Sequence, residues 1–317
     1  MAQQKKGDVS IANVLAIIGL AGLGIITFFG GVLYATDGNL ARPIITAVVY
    51  VLLITFLLFF AIKAKGAQEH PDKWRYAEWA SVILLLAVAV VGSDNFQHFF
   101  SVATQKKELQ KTALSEVNAV NQMYDSYDRQ QKEYLDQAVN QIRSYLASGQ
   151  INANDRDKAL SDYVQQYVSD PDMWASTAAR VVSISRPSQI GDFERRIKAW
   201  NYLSLASLAT EIDAFKVESW ENLQQKIENY GTNAGLIPVI EGRAPYTYKG
   251  FATFDLGPKP ESQFSAKLAG VTGNTVTGWV VLVLLLLLVL LNYVVAPRQH
   301  FVGPGHRRDG KDGGASL

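Results

Sequence analysis

Not one of the 317 residues is cysteine. That absence removes disulfides, thiolate-ligated zinc, iron–sulfur clusters and thiol nucleophiles together. Asn-x-Ser/Thr acceptor sites are missing too, which points toward a bacterial exported domain rather than a glycosylated one. Strong net charge is also lacking, since 30 Lys and Arg against 29 Asp and Glu leave +1. No basic cluster is dense enough to follow a phosphate backbone, so the reading is no nucleic-acid partner. Histidine is scarce, and His70, His98, His300 and His306 are too scattered for a metal centre. No Ser-His-Asp arrangement, phosphate loop or GxSxG elbow is present. Glu211 and Asp213 are two apart and cannot share a helix face. The expectation is a non-enzymatic protein with no catalytic residues, no cofactor and no metal.

What the chain does have is long apolar runs. Residues 11–34 carry no charge, and a hydrocarbon core of about 30 Å needs about 20 apolar residues as helix. A second run covers 41–63, with Pro43 in the first turn where helices tolerate it. A fourth covers 274–296, closed by Pro297. The third is weaker. "WASVILLLAVAVVG" (79–92) stops short of a crossing, and "SDNFQHFF" must be added to complete one over 78–100. The reading is four transmembrane helices.

Lys and Arg in short flanks set orientation. Lys5, Lys6, Lys63, Lys65, Lys73, Arg75 and Arg298 collect on one side. Residues 1–10, the 64–77 loop and a disordered tail at 297–317 are therefore expected in the cytoplasm, and 101–272 outside the inner membrane.

That outer region reads as helical. Leu114, Val117, Val120, Tyr124, Tyr127, Tyr134, Ala138, Ile142 and Tyr145 recur in steps of mostly three and four. No Gly or Pro interrupts 93–148, so span three is expected to run unbroken into a stalk helix over about 101–148. A cap of short helices follows at 150–187. A second long helix is expected at 188–230, its stripe running from Ile190 through Trp200 to Tyr230, in an antiparallel, coiled-coil-like hairpin with the first. Residues 232–272, rich in Gly, Pro and β-formers, suggest a short β or loop segment, with a strand in "YTYKGFATFDL". The fold class expected is an all-α membrane protein carrying a large extracytoplasmic helical hairpin between spans three and four. The layout resembles that of tetraspanins in topology alone. The cysteines that mark that family are absent, so the resemblance implies nothing about activity.

Two groups of residues stand out. Asp94, Asn95, Gln97 and His98 follow directly on an apolar run, and Asp94 and His98 are spaced to share a helix face. Inside a membrane such groups are functional by default. The apolar run is exhausted by Gly92, however, which favours an exit from the membrane over a site. Ala12, Ala16 and Gly19 form a smooth face on span one suited to close helix packing, within the chain or with a partner. "FERRIKAW" (193–200) reads as a solvated face beside a core stripe. The functional expectation is a scaffold or accessory subunit of a cell-envelope complex, in a homo- or hetero-oligomer with other membrane proteins. The alternative is an ion or solute channel or transporter subunit with Asp94 and His98 near its mouth.

Overall fold

The computed structural model describes residues 11–36, 38–67, 71–147, 183–232, 255–261, 263–273 and 275–297, with isolated positions between 158 and 179. Among the described residues every regular element is helical. The helices are α1 (Ile11–Tyr34), α2 (Ala41–Lys65), α3 (Pro71–Val91), α4 (Asp94–Thr104), α5 (Lys106–Ala147), α6 (Gln189–Ala199), α7 (Leu205–Thr232), α8 (Phe264–Ala269) and α9 (Val276–Val295). The chain divides into two compact units, one comprising residues up to Gln105 and from Val271 onward, the other Lys106–Gly270.

In the first unit, α1, α2, α3 and α9 are long and apolar enough to cross a membrane, with α3 the least apolar. They mark the chain as a multipass membrane protein. Their cohesion comes from small residues. A Cβ on Gly19 would meet the Leu285 carbonyl and Val289 at 2.9 Å, so α1 approaches α9 almost backbone to backbone. A Cβ on Gly92 would strike the Tyr50 ring at 2.4 Å, and the Tyr50 hydroxyl donates to the Ala89 carbonyl at 2.9 Å, which pins α2 to α3. Leu23, Ile54, Leu85, Phe96, Leu282 and Val289 form the interior. Ile17, Leu52, Phe56, Ile83 and Leu287 face outward and exposed, as side chains do when the surrounding solvent is hydrocarbon. The N-terminus of α9 is capped by Thr275, whose hydroxyl accepts from the Gly278 N–H at 3.0 Å.

The helical run from span three is interrupted, contrary to expectation. α3 ends at Val91, and α4 starts at Asp94. At the break the Ser93 hydroxyl donates to the Val90 carbonyl, a local bond that competes with helix continuation. A second interruption falls at Gln105, whose ψ of 9° leaves the helical path. Neither break required a glycine or proline inside 93–148.

The second unit is built on α5 and α7, with α6 and α8 packed against them. The buried face of α5 runs through Leu109, Ala113, Val117, Val120, Tyr124 and Tyr127, then Leu135 and Val139. That of α7 runs through Leu208, Ile212, Phe215, Leu223 and Ile227. Both follow the three-and-four spacing of an amphipathic helix. The expected single helix over 188–230 is in fact α6 and α7. The chain turns at Trp200, which takes a left-handed conformation (φ 51°, ψ 58°) while its side chain stays buried. An indole in that region costs backbone energy, and burial against the core offsets it.

Most of the expected cap at 150–187, the expected strand after residue 245 and the expected disordered tail lie outside the described residues. Within 232–272, residues 255–261 carry no regular structure and 264–269 form α8. The Asp213 carboxylate holds α8 in place. It accepts from the backbone N–H groups of Phe264 (3.1 Å) and Ser265 (2.9 Å) and from the Ser265 hydroxyl. Those N–H groups are the ones a helix start leaves without intrahelical partners.

Candidate functional site

α4 is where the sequence placed its polar cluster, and its geometry is set by α1. A Cβ on Gly30 would lie 1.6 Å from the Asn95 carbonyl oxygen, so only glycine lets the two helices touch there. Gly31 faces the Asn95 side-chain amide and Pro43. The buried face of α4 carries Phe96, Gln97, His98, Ser101 and Val102. Asp94 is exposed and Asn95 half-buried.

His98 is only 2% exposed. Its Nδ1 lies 2.9 Å from the Val271 carbonyl, and its ring stacks on Tyr34 with centroids 3.9 Å apart and planes 18° from parallel. A carbonyl can only accept, so Nδ1 carries the proton and Nε2 is the acceptor nitrogen. Nε2 is buried without a hydrogen-bond partner. Next to it, both amide atoms of Gln97 are buried without partners, with Oε1 lying 2.3 Å from where a Cβ on Gly278 would sit. The Thr27 hydroxyl on α1 is in the same condition. Buried polar atoms normally find partners, so three such side chains in one helical unit are an anomaly that suits a polar role. Ser101 donates to the Gly273 carbonyl, which with the His98 bond ties α4 to the segment leading into α9.

The four predicted polar residues are thus split. Gln97 and His98 turn inward, Asn95 spans the α1 contact, and Asp94 points away. Asp94 and His98 are one helical turn apart but form no ion pair, one being exposed and the other buried. Ala12, Ala16 and Gly19 all lie on the buried face of α1, and Gly19 packs within the chain, against α9. In "FERRIKAW", Phe193, Ile197 and Trp200 are buried, while Arg195 and Arg196 pair with Asp192 and Glu211. Among the described residues no group of His, Asp and Glu has the arrangement to hold a metal ion.

A second polar cluster was not singled out from the sequence. Glu78 of α3, 3% exposed, accepts from the Tyr293 hydroxyl of α9 at 2.5 Å. The Lys65 ammonium, at the end of α2, donates to the Tyr293 and Val294 carbonyls at 2.7 and 3.1 Å and lies 4.8 Å from the Tyr293 ring centre. Three helix ends are joined there. The one local signal was a carboxylate directly beside an apolar run, in "EWASVILLL".

The second unit also buries charge, but in pairs. Lys216 of α7 meets Glu116 of α5 at 2.5 Å with both side chains largely buried. Burial pushes the Tyr124 phenol up from its usual range; a hydrogen bond with Ser219 opposes this and the Glu218 charge adds to it.

Compared with protein-family models, curated proteins and solved structures, the chain matches none.

Proposed function

We propose that this is a non-enzymatic multipass membrane protein acting as a scaffold or accessory subunit of a cell-envelope complex through contacts of its second, helical unit. Both termini and the α2–α3 loop lie in the cytoplasm in this reading, and Lys106–Gly270 lies outside the inner membrane. The observation that carries it is the pairing of four membrane-length apolar helices with a separate unit in which a buried ion pair joins the long helices α5 and α7 and the Asp213 side chain caps the short α8. Such fastening gives the unit a fixed surface, which a partner can recognise without an ordering cost. The asymmetry of Lys and Arg in the short flanks supports the orientation.

The cysteine-free background makes the test direct. Single cysteines at Ser115, Ser185 and Ala67 would be labelled in intact cells with an impermeant maleimide, then used for cross-linking. Labelling at Ser115 and Ser185 but not at Ala67, with reproducible cross-linked neighbours, is the expected result. An inverted pattern, or a chain that is always monomeric and partnerless, would overturn it.

A second reading is a channel or transporter subunit. The unpartnered Gln97 amide and His98 Nε2 favour it, since polar groups kept inside an apolar bundle often mark a pathway. Flux into liposomes that is lost in Gln97→Leu and His98→Ala would support this reading, and flux unchanged in both would remove it.

A further inference from the structure

We propose that the first unit holds a phospholipid at a built site on one flank of α2, with its phosphate on Arg42 and an acyl chain in the groove between α2 and α3. Two cavities meet there. The upper one, about 320 Å³, is mixed in character, with Tyr34, Thr36, Arg42, Thr46 and Asn95 beside Gly31, Ala35 and Pro43 in its lining. The lower one, about 590 Å³, is almost wholly apolar, walled by Ile45, Val49 and Leu53 of α2 and by Leu84, Val88 and Val91 of α3. Thr46 lines both. Arg42, Thr46, Val49 and Leu53 are spaced four, three and four apart, so one face of α2 runs from the Arg42 cleft straight down the groove. The cleft sits over the groove as a phospholipid head sits over its chain.

The level is also right. Arg42 is the second residue of a membrane-length helix, which places its guanidinium at headgroup depth whichever way the chain is oriented. A guanidinium presents a fork of donors that matches phosphate oxygens, and the hydroxyl-bearing Tyr34, Thr36 and Thr46 line the same cleft. Among the described residues no carboxylate pairs with Arg42. The groove owes its upper boundary to the end of α3. There Gly92 lets the Tyr50 ring come close to the α3 backbone, and the chain leaves α3 for α4. A soluble anion would fill the cleft and leave the groove bare. A hydrocarbon would fill the groove and leave the guanidinium bare. A phospholipid satisfies both.

The test is the phospholipid that stays with the full-length protein after purification and washing in mild detergent, measured as lipid phosphorus per chain and identified by mass spectrometry. Arg42 and Val49 are both exposed, so Arg42→Ala and Val49→Trp leave the packing intact, and an unchanged thermal unfolding profile verifies it. Val48→Trp is the control, because Val48 lines a different apolar groove, between α1 and α2. The expected result is a several-fold loss of retained phospholipid in Arg42→Ala and in Val49→Trp, and none in Val48→Trp. Equal retention in all chains overturns the site. Equal loss in Val48→Trp means only a general lipid shell and overturns it as well, as does a loss confined to one of the first two variants.

Discussion

Gly30 and Tyr127 are both buried where helices pack, and they show how differently the two units are made. At Gly30 there is no room for a single carbon, because the Asn95 backbone occupies the place. At Tyr127 a whole phenol is enclosed, at 0% exposure, as the largest fully buried side chain described. The outsides differ in the same sense. The first unit leaves a broad coat of exposed Ile, Leu, Val and Phe, whereas the exposed large apolar residues described in the second are Met173 and Leu203. Water makes burial of apolar area worth about 25 cal/mol per Å², so helices bathed in it gain most by burying wide stripes of large side chains. Hydrocarbon offers no such gain, so helices there associate through close packing, which small residues allow. Polar atoms do not divide as cleanly: Glu116 has Lys216 and Asp213 has the start of α8, and Glu78 of the first unit has Tyr293, while Gln97 and the Nε2 of His98 in the first unit and the Trp200 Nε1 in the second have no hydrogen-bond partner.

The largest effect expected to test this contrast is at glycine. Gly30→Ala would force α1 and α4 apart and cost at least about 3 kcal/mol, read as a lost or sharply lowered unfolding transition in detergent. Gly191→Ala, in α6 of the second unit where an added Cβ meets nothing, should instead stabilise by about 1 kcal/mol through helix propensity. If both changes have the same sign, glycine does not do different work in the two units. Next, Glu116→Ala strands the Lys216 ammonium and should cost about 3 kcal/mol, whereas the double change Glu116→Leu with Lys216→Met should recover most of that loss. A double variant as unstable as the single would mean that the pair holds the unit by more than charge. Gln97→Leu removes buried polar atoms that nothing satisfies, so a gain of about 1 kcal/mol is expected in the same detergent assay. A loss would mean that the amide has a ligand in the membrane. The smallest effect belongs to Arg196→Ala, which deletes a half-exposed pair with Glu211 and should change stability by about 0.5 kcal/mol or less.

The sequence yielded what is local and repetitive. The apolar runs of α1, α2 and α9 announced themselves by length, and Val117, Val120, Tyr124 and Tyr127 by their spacing, because a helix face is a short-range pattern. The breaks at Gln105 and Trp200 were not legible, since neither residue is a glycine or proline and only the tertiary contacts of a buried indole favour the left-handed turn. Partnerships across the chain were equally hidden: Glu116 and Lys216 are 100 residues apart and Glu78 and Tyr293 are 215 apart. At α4 the composition of "DNFQH" flagged the place, but only the glycine contacts with α1 and α9 decide that Gln97 and His98 face inward while Asp94 faces out.

The junction of Lys65, Glu78 and Tyr293 has a bearing on how the protein is made. Its acid and its ammonium belong to helices synthesised early, and the tyrosine that completes it belongs to α9, 228 residues after Lys65. Until α9 is made, neither the Tyr293–Glu78 hydrogen bond nor the Lys65 contacts with α9 can form. The contacts that join α2 and α3 to the C-terminal part of α9 are therefore the late ones in the order of synthesis.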